Sequence, residues 1–206
     1  MIRPPPEPSR DREPIIPGLP NDRRRWLVEV VQVVIVAALL YGVVNEFVAR
    51  PVRVELGSME PGLMPGDNLL VDLLTPRWDP YARGEIIVFD PPPPHDADGV
   101  PYVKRVIGLP GDTVRLESGR IWVAPAGGVA RPLDEPYAVG GPTLPQGDGP
   151  TVSWEVPEGG LFVLGDNRGA SVDSRTFGPI RLDRVIGRAW VRYLPPSRIG
   201  ILDSGD

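Results

Sequence analysis

The feature that most constrains this chain is a run of 23 residues, Trp26 to Val48, dominated by Val, Leu, Ile and Ala. Its charge-free centre, Val30 to Val44, has only Gln32 and Gly42 as non-apolar members. As a helix the run would span ~34 Å, against ~30 Å for a bilayer's hydrocarbon. Glu29 and Glu46 fall near its two ends, where headgroups and water reach. A helix apolar all round would need cover on every side in a globule. A cleaved leader would need a small-residue site, which Phe47-Val48-Ala49 supplies poorly, and a shorter lead-in. The reading adopted is a single retained transmembrane helix over 26–48, in contact with the lipid bilayer. The 20 residues before Trp26 carry five Arg and residues 49–68 carry two. The positive-inside rule then puts the tail in the cytoplasm and the remainder on the extracytoplasmic face of the membrane. Residues 1–25, rich in Pro and mixed charge, read as a disordered cytoplasmic tail.

Beyond residue 48 the helical pattern gives way to short strands. Pro and Gly make up 52 of 206 residues, which fits many turns between strands. Val52 to Leu56 alternates, so Val52, Val54 and Leu56 are expected on one face, with Gly57 presenting Ser58 at the strand end. Leu69-Leu70-Val71, Ile86 to Phe89, Tyr102 to Ile107, Thr151 to Val156, Leu161 to Leu164 and Val185 to Leu194 read as further strands. Val114 to Glu117 and Ile121 to Val123, flanking Ser118-Gly119, read as a hairpin. The fold class expected is mostly β. A single N-terminal transmembrane helix precedes an antiparallel β-sheet domain over 49–196. Residues 113–155 form a possible subdomain insertion with a Gly/Pro-rich stretch at 124–150, and 197–206 is an unstructured tail.

Within this frame two residues stand out. Of 22 cationic residues 21 are Arg and one, Lys104, is Lys. Arg serves wherever a fixed charge suffices, whereas Lys sheds its proton when buried. Period-two alternation sets Tyr102, Lys104 and Val106 on one face, an environment that lowers the lysine pKa by desolvation. Ser58 would need a base. With no Cys and only His95, just after four prolines, thiolate chemistry is excluded and a Ser-His-Asp triad nearly so. A Cys/His metal site is not expected, nor any cofactor, and a net charge of −5 gives no basic surface for nucleic acid. Oligomeric state is not legible. A Ser/Lys dyad is a recognised variant of triad logic. The polar block Gly165 to Arg175 offers partners: Ser171 or Ser174 for the amine, and an Asp173/Arg175 pair to hold the loop. The competing reading of that block is a turn rich in local side chain to backbone bonds.

Ser58-Met59-x-Pro61, Gly66-Asp67, Arg83 to Phe89, Tyr102 to Asp112 and Gly165-Asp166-Asn167-Arg168-x-x-Ser171-x-Asp173-Ser174-Arg175-x-x-Gly178 resemble, in order, the motif boxes of type I signal peptidases. The resemblance covers about residues 26–192. It implies a membrane-anchored serine endopeptidase that removes signal peptides from exported preproteins. Ser58 would be nucleophile, Lys104 general base, and the Ser58 N–H part of the oxyanion hole. Ser171 would orient the lysine, and Asp173 and Arg175 would support it. Substrate would lie along strand edges near 52–56 and 102–104. Val54, Met59, Leu63, Val88, Tyr102 and Val103 would line shallow pockets for small residues, hence cleavage after Ala-x-Ala-like sites. Three positions depart from the pattern: Leu56 where some members place an oxyanion-hole serine, Gly62 for the usual Thr, and Glu85 where Asp is common. Two other readings are a soluble self-cleaving repressor-type protease, disfavoured by the apolar span, and a tethered β scaffold without catalysis.

Overall fold

The computed structural model describes residues 22–145 and 153–202. The tail expected at 1–21, part of the Gly/Pro-rich stretch, the start of the strand expected from Thr151 and the last four residues lie outside them. Helix α1 runs Asp22–Phe47. It is long and apolar enough to cross a membrane by length and composition, and its most apolar stretch buries nothing. It begins four residues before the apolar run and so includes Arg23 to Arg25, good helix formers that extend a helix into water. Two compact units are distinguished, one through Tyr41 and one from Gly42.

The second unit is built on two antiparallel sheets. The larger uses β1 (Ala49–Arg53), β2 (Asn68–Asp72), β3 (Ile86–Phe89), β4 (Tyr102–Gly108), β9 (Gly160–Leu164), β10 (Ile180–Arg181), β11 (Val185–Leu194) and β12 (Gly200–Ile201). Its order is β1-β2-β11-β3-β4-β9-β10, with β12 on β11. The smaller is β7-β6-β5-β8, from β5 (Thr113–Glu117), β6 (Arg120–Ala124), β7 (Arg131–Pro132) and β8 (Ser153–Glu155). The β5–β6 hairpin turns at Ser118 and Gly119, with φ of 51° and 77°. Two positive φ values suit the twist of the flanking strands.

Strand alternation sorts the apolar residues into cores on opposite faces. Ile86 and Val88 join Val54, Met59, Leu63, Leu69, Val71, Val103 and Ala189. Ile87 and Phe89 point the other way, toward Val106, Leu161, Val163 and Ile180. A third cluster, including Val114, Ile121, Phe162 and Leu164, joins the two sheets.

Two expectations are corrected. The first strand ends at Arg53, so Leu56 does not share the buried face of Val54 and is 61% exposed. The Val54 N–H bonds Asp67 O at 2.8 Å, and the chain then turns away from the sheet. Nor is the segment from residue 197 wholly unstructured. Gly200–Ile201 pairs with Val191–Arg192, and Arg198 Nη1 reaches Asp67 at 3.2 Å. A strand of two residues is too short to show a period-two signal, so it is silent in sequence.

Candidate active site

Ser58 sits in a single 3₁₀ turn, Gly57–Met59, rather than at a strand end. Met59, wholly buried, anchors that turn in the core beside Val54 and Leu63. On the C-terminal side, Asp67 accepts from Met64 N–H at 2.9 Å and pairs with Arg198 and Arg192. Arg192 Nη1 also donates to Gly62 O at 2.7 Å. The Ser58 turn is thus held by core packing on one side and charge-assisted bonds on the other.

Lys104 lies on β4 opposite Ile87 and is 3% exposed. Its Nζ donates to Ser58 Oγ at 2.7 Å and to Val103 O at 3.1 Å. The Tyr102 ring stands 5.0 Å from Nζ, so the aromatic neighbour expected from alternation is in place. Burial pushes the Lys104 ammonium down to about 8, against the opposing pull of Asp173 and Asp166. The amine is thereby a competent base near neutral pH.

The polar block wraps the same point. Asn167 N–H donates to Ser58 O at 3.0 Å, and Asn167 Nδ2 to Gly57 O at 3.3 Å. A Cβ on Gly165 would collide with Ser171 Oγ and stand 2.5 Å from Ser58 O, so only glycine lets the two serines approach. Ser171 is buried at this contact. Ser174 has another task, its Oγ accepting Val163 N–H at 2.9 Å. Asp173 and Arg175 form a buried two-point pair, Nε to Oδ1 and Nη2 to Oδ2 both at 2.8 Å. Asp173 Oδ2 also accepts Gly165 N–H at 3.1 Å. The block is therefore both a locally bonded loop and the wall of a site.

A cleft opens over Ser58 and Lys104, lined by Val54, Met59, Tyr102, Val103, Arg53, Glu55, Leu56, Val100 and Pro101. Leu63 and Val88 stand behind this wall, 1% and 0% exposed, in the core cluster that holds Val54, Met59 and Val103.

Sequence reasoning missed two buried arginines. Arg105 makes a two-point bond to Asp166 at 2.9 and 2.7 Å, donates to Gly84 O at 2.7 Å and stacks on Tyr137 at 3.9 Å. Arg168, 2% exposed, donates to Gly165 O at 3.0 Å and pairs with Glu135. The only signal was their place in or beside motif boxes. Their partners lie 61 and 33 residues away, beyond any local periodicity.

The family model described as signal peptidase, peptidase S26, matches residues 26–194. A Synechocystis relative named "Probable signal peptidase I-2" is 36% identical, over 86% of this chain and 77% of its own. Signal peptidase I of Bacillus licheniformis is 35% identical, over 87% and 95%. Signal peptidase IB of Staphylococcus aureus is 31% identical, over 84% and 93%. A solved signal peptidase I from Enterococcus faecalis aligns with 52% of this chain and 95% of its own, at 34% identity and a TM-score of 0.39. With a family model matched over most of its length and relatives matched along 77% to 95% of theirs, this chain belongs to the signal peptidase family, peptidase S26.

Proposed function

We propose that the protein is a membrane-anchored serine endopeptidase that cuts signal peptides from exported preproteins after Ala-x-Ala-like sites. The observation that carries this reading is the 2.7 Å contact between Ser58 Oγ and the buried amine of the chain's sole lysine. Neutral Lys104 takes the Ser58 proton as Oγ attacks the scissile carbonyl. The resulting ammonium then protonates the departing amine, leaving an acyl-enzyme on Ser58. Lys104, neutral again, takes a proton from water as it attacks the acyl carbon, and passes that proton to Ser58 Oγ as the ester bond breaks and the signal peptide leaves. The Ser58 N–H stabilises the oxyanion. Ser171 orients the amine, and Asp173 with Arg175 holds the loop that carries Ser171.

The preprotein adds as an extended strand along residues 52–56 and 102–104, main chain supplying affinity and pockets supplying selection. Val54, Met59, Tyr102 and Val103 line those pockets directly, while Leu63 and Val88 fix the wall from behind. Small side chains suit so shallow a cleft. The apolar helix anchors the chain with its N-terminus cytoplasmic and the β domain on the extracytoplasmic face.

The test is incubation of the detergent-solubilised chain, and of its Ser58→Ala form, with a preprotein bearing an Ala-x-Ala site. A single cut after the second Ala, absent in the variant, is expected. Cleavage by both forms would discard Ser58 as nucleophile, and cleavage by neither would discard the reading.

A further inference from the structure

The Gly/Pro-rich stretch is laid against the polar block. Val139 N–H donates to Asp166 O at 2.8 Å, and Arg168 N–H returns a bond to Val139 O at 2.9 Å. A Cβ on Gly140 would stand 2.9 Å from Gly169 N. The side chain that ties the two together is Arg168. Its Nε donates to Gly165 O at 3.0 Å. Nη1 donates to Thr143 Oγ1 at 2.7 Å and Glu135 Oε2 at 3.1 Å, and Nη2 to Glu135 Oε1 at 2.5 Å. Gly165 is therefore gripped at both ends, its N–H by Asp173 and its carbonyl by Arg168. It is also the residue whose bare Cα lets Ser171 and the Ser58 main chain meet. Removing the carboxylate would leave a buried guanidinium unpaired, a state that resolves by swinging toward water and releasing the Gly165 carbonyl.

We propose that Glu135 is a positioning residue for the dyad, acting through the Arg168 guanidinium and the Gly165 carbonyl. The Gly/Pro-rich stretch is then part of the catalytic apparatus rather than a decoration of the small sheet. This rests on the Ser/Lys peptidase reading above. Nothing in the arrangement requires Glu135 to touch substrate.

The chain's single lysine allows a test that does not depend on turnover. Lysine labelled with ¹³C at Cε gives one signal, whose titration is the titration of Lys104. Glu135→Ala and Glu135→Gln are compared with wild type for that midpoint, for kcat and for KM. Val129→Ser, at a 78% exposed position of the same stretch, serves as control. For Glu135→Ala, kcat is expected to fall about ten-fold with KM within about two-fold. The Lys104 midpoint is expected to rise as the loosened loop admits water around the amine, which now sees Asp173, Asp166 and Arg175. In an Arg168→Ala background Glu135→Ala should add less than about two-fold, since its route of action is gone.

Unchanged kcat and midpoint in both Glu135 variants would overturn the proposal, leaving at most a loss of thermal stability. A fall in kcat that remains additive on Arg168→Ala would overturn it too. Should Glu135→Ala not fold, the isosteric Glu135→Gln decides by the same readouts. A wild-type chain that cuts nothing overturns the peptidase reading, while a midpoint that still moves in Glu135→Ala preserves the mechanical link.

Discussion

Lys104 illustrates how one side chain is made costly so that it can work. Its folded value of about 8 lies below the ordinary 10.5, because burial disfavours the ammonium. The unfolded chain therefore binds the proton more tightly, and stability rises with pH between these two values. Below about pH 8 the buried ammonium costs on the order of 3 kcal/mol. Lys104→Met is expected to raise Tm at pH 7 and to lose that advantage as pH climbs toward 10.5, as calorimetry across that range would show. The rate should follow the same group in the opposite sense. kcat/KM for preprotein cleavage is expected to rise through about pH 8 and level off, because only the neutral amine accepts the Ser58 proton. Lys104→Arg keeps the charge but cannot accept a proton, so cleavage should be lost in a folded protein.

At the scale of elements, the site is a meeting of three pieces: the Gly57–Met59 turn, β4 and the 165–175 loop. Gly165 is where they touch most closely. Gly165→Ala should lower kcat by about 10²-fold with the fold retained, since a methyl displaces Ser171 and the Ser58 main chain together. Circular dichroism beside turnover separates that outcome from unfolding. The far side of the turn depends on the C-terminal segment, where Arg198 reaches Asp67 and Gly62 O. Arg198→Ala should cost about 1 kcal/mol in denaturant unfolding, a modest figure because the guanidinium is partly solvated.

At the scale of the molecule, α1 exposes Leu39, Leu40 and Tyr41 at 66%, 60% and 70%. Apolar surface of that extent fits a helix proposed to lie in lipid. The full chain is expected to fractionate with membranes, and a chain begun at Gly42 to require far less detergent. Protease added to the extracytoplasmic side of intact cells should degrade the β domain and spare an N-terminal tag.

Much of this was legible from residues in order. The apolar run announced its helix because a segment of that length, apolar all round, can satisfy its backbone hydrogen bonds in hydrocarbon only within itself. The solitary lysine, placed by period two between Tyr102 and Val106, announced a desolvated amine. The Ser118-Gly119 pair announced its hairpin through the two positive φ values that such a turn requires. Tertiary structure decided what depends on distance across the chain. It ended the first strand at Arg53, exposing Leu56 and moving Ser58 into a 3₁₀ turn. It assigned Ser174 to Val163 and packed Ser171 against Gly165. It also joined Arg105 to Asp166 and Arg168 to Glu135, since the desolvation of a buried charge is answered by whichever carboxylate the fold brings near. Local periodicity carries the identity of elements; the pairing of buried charges exists only after those elements have packed.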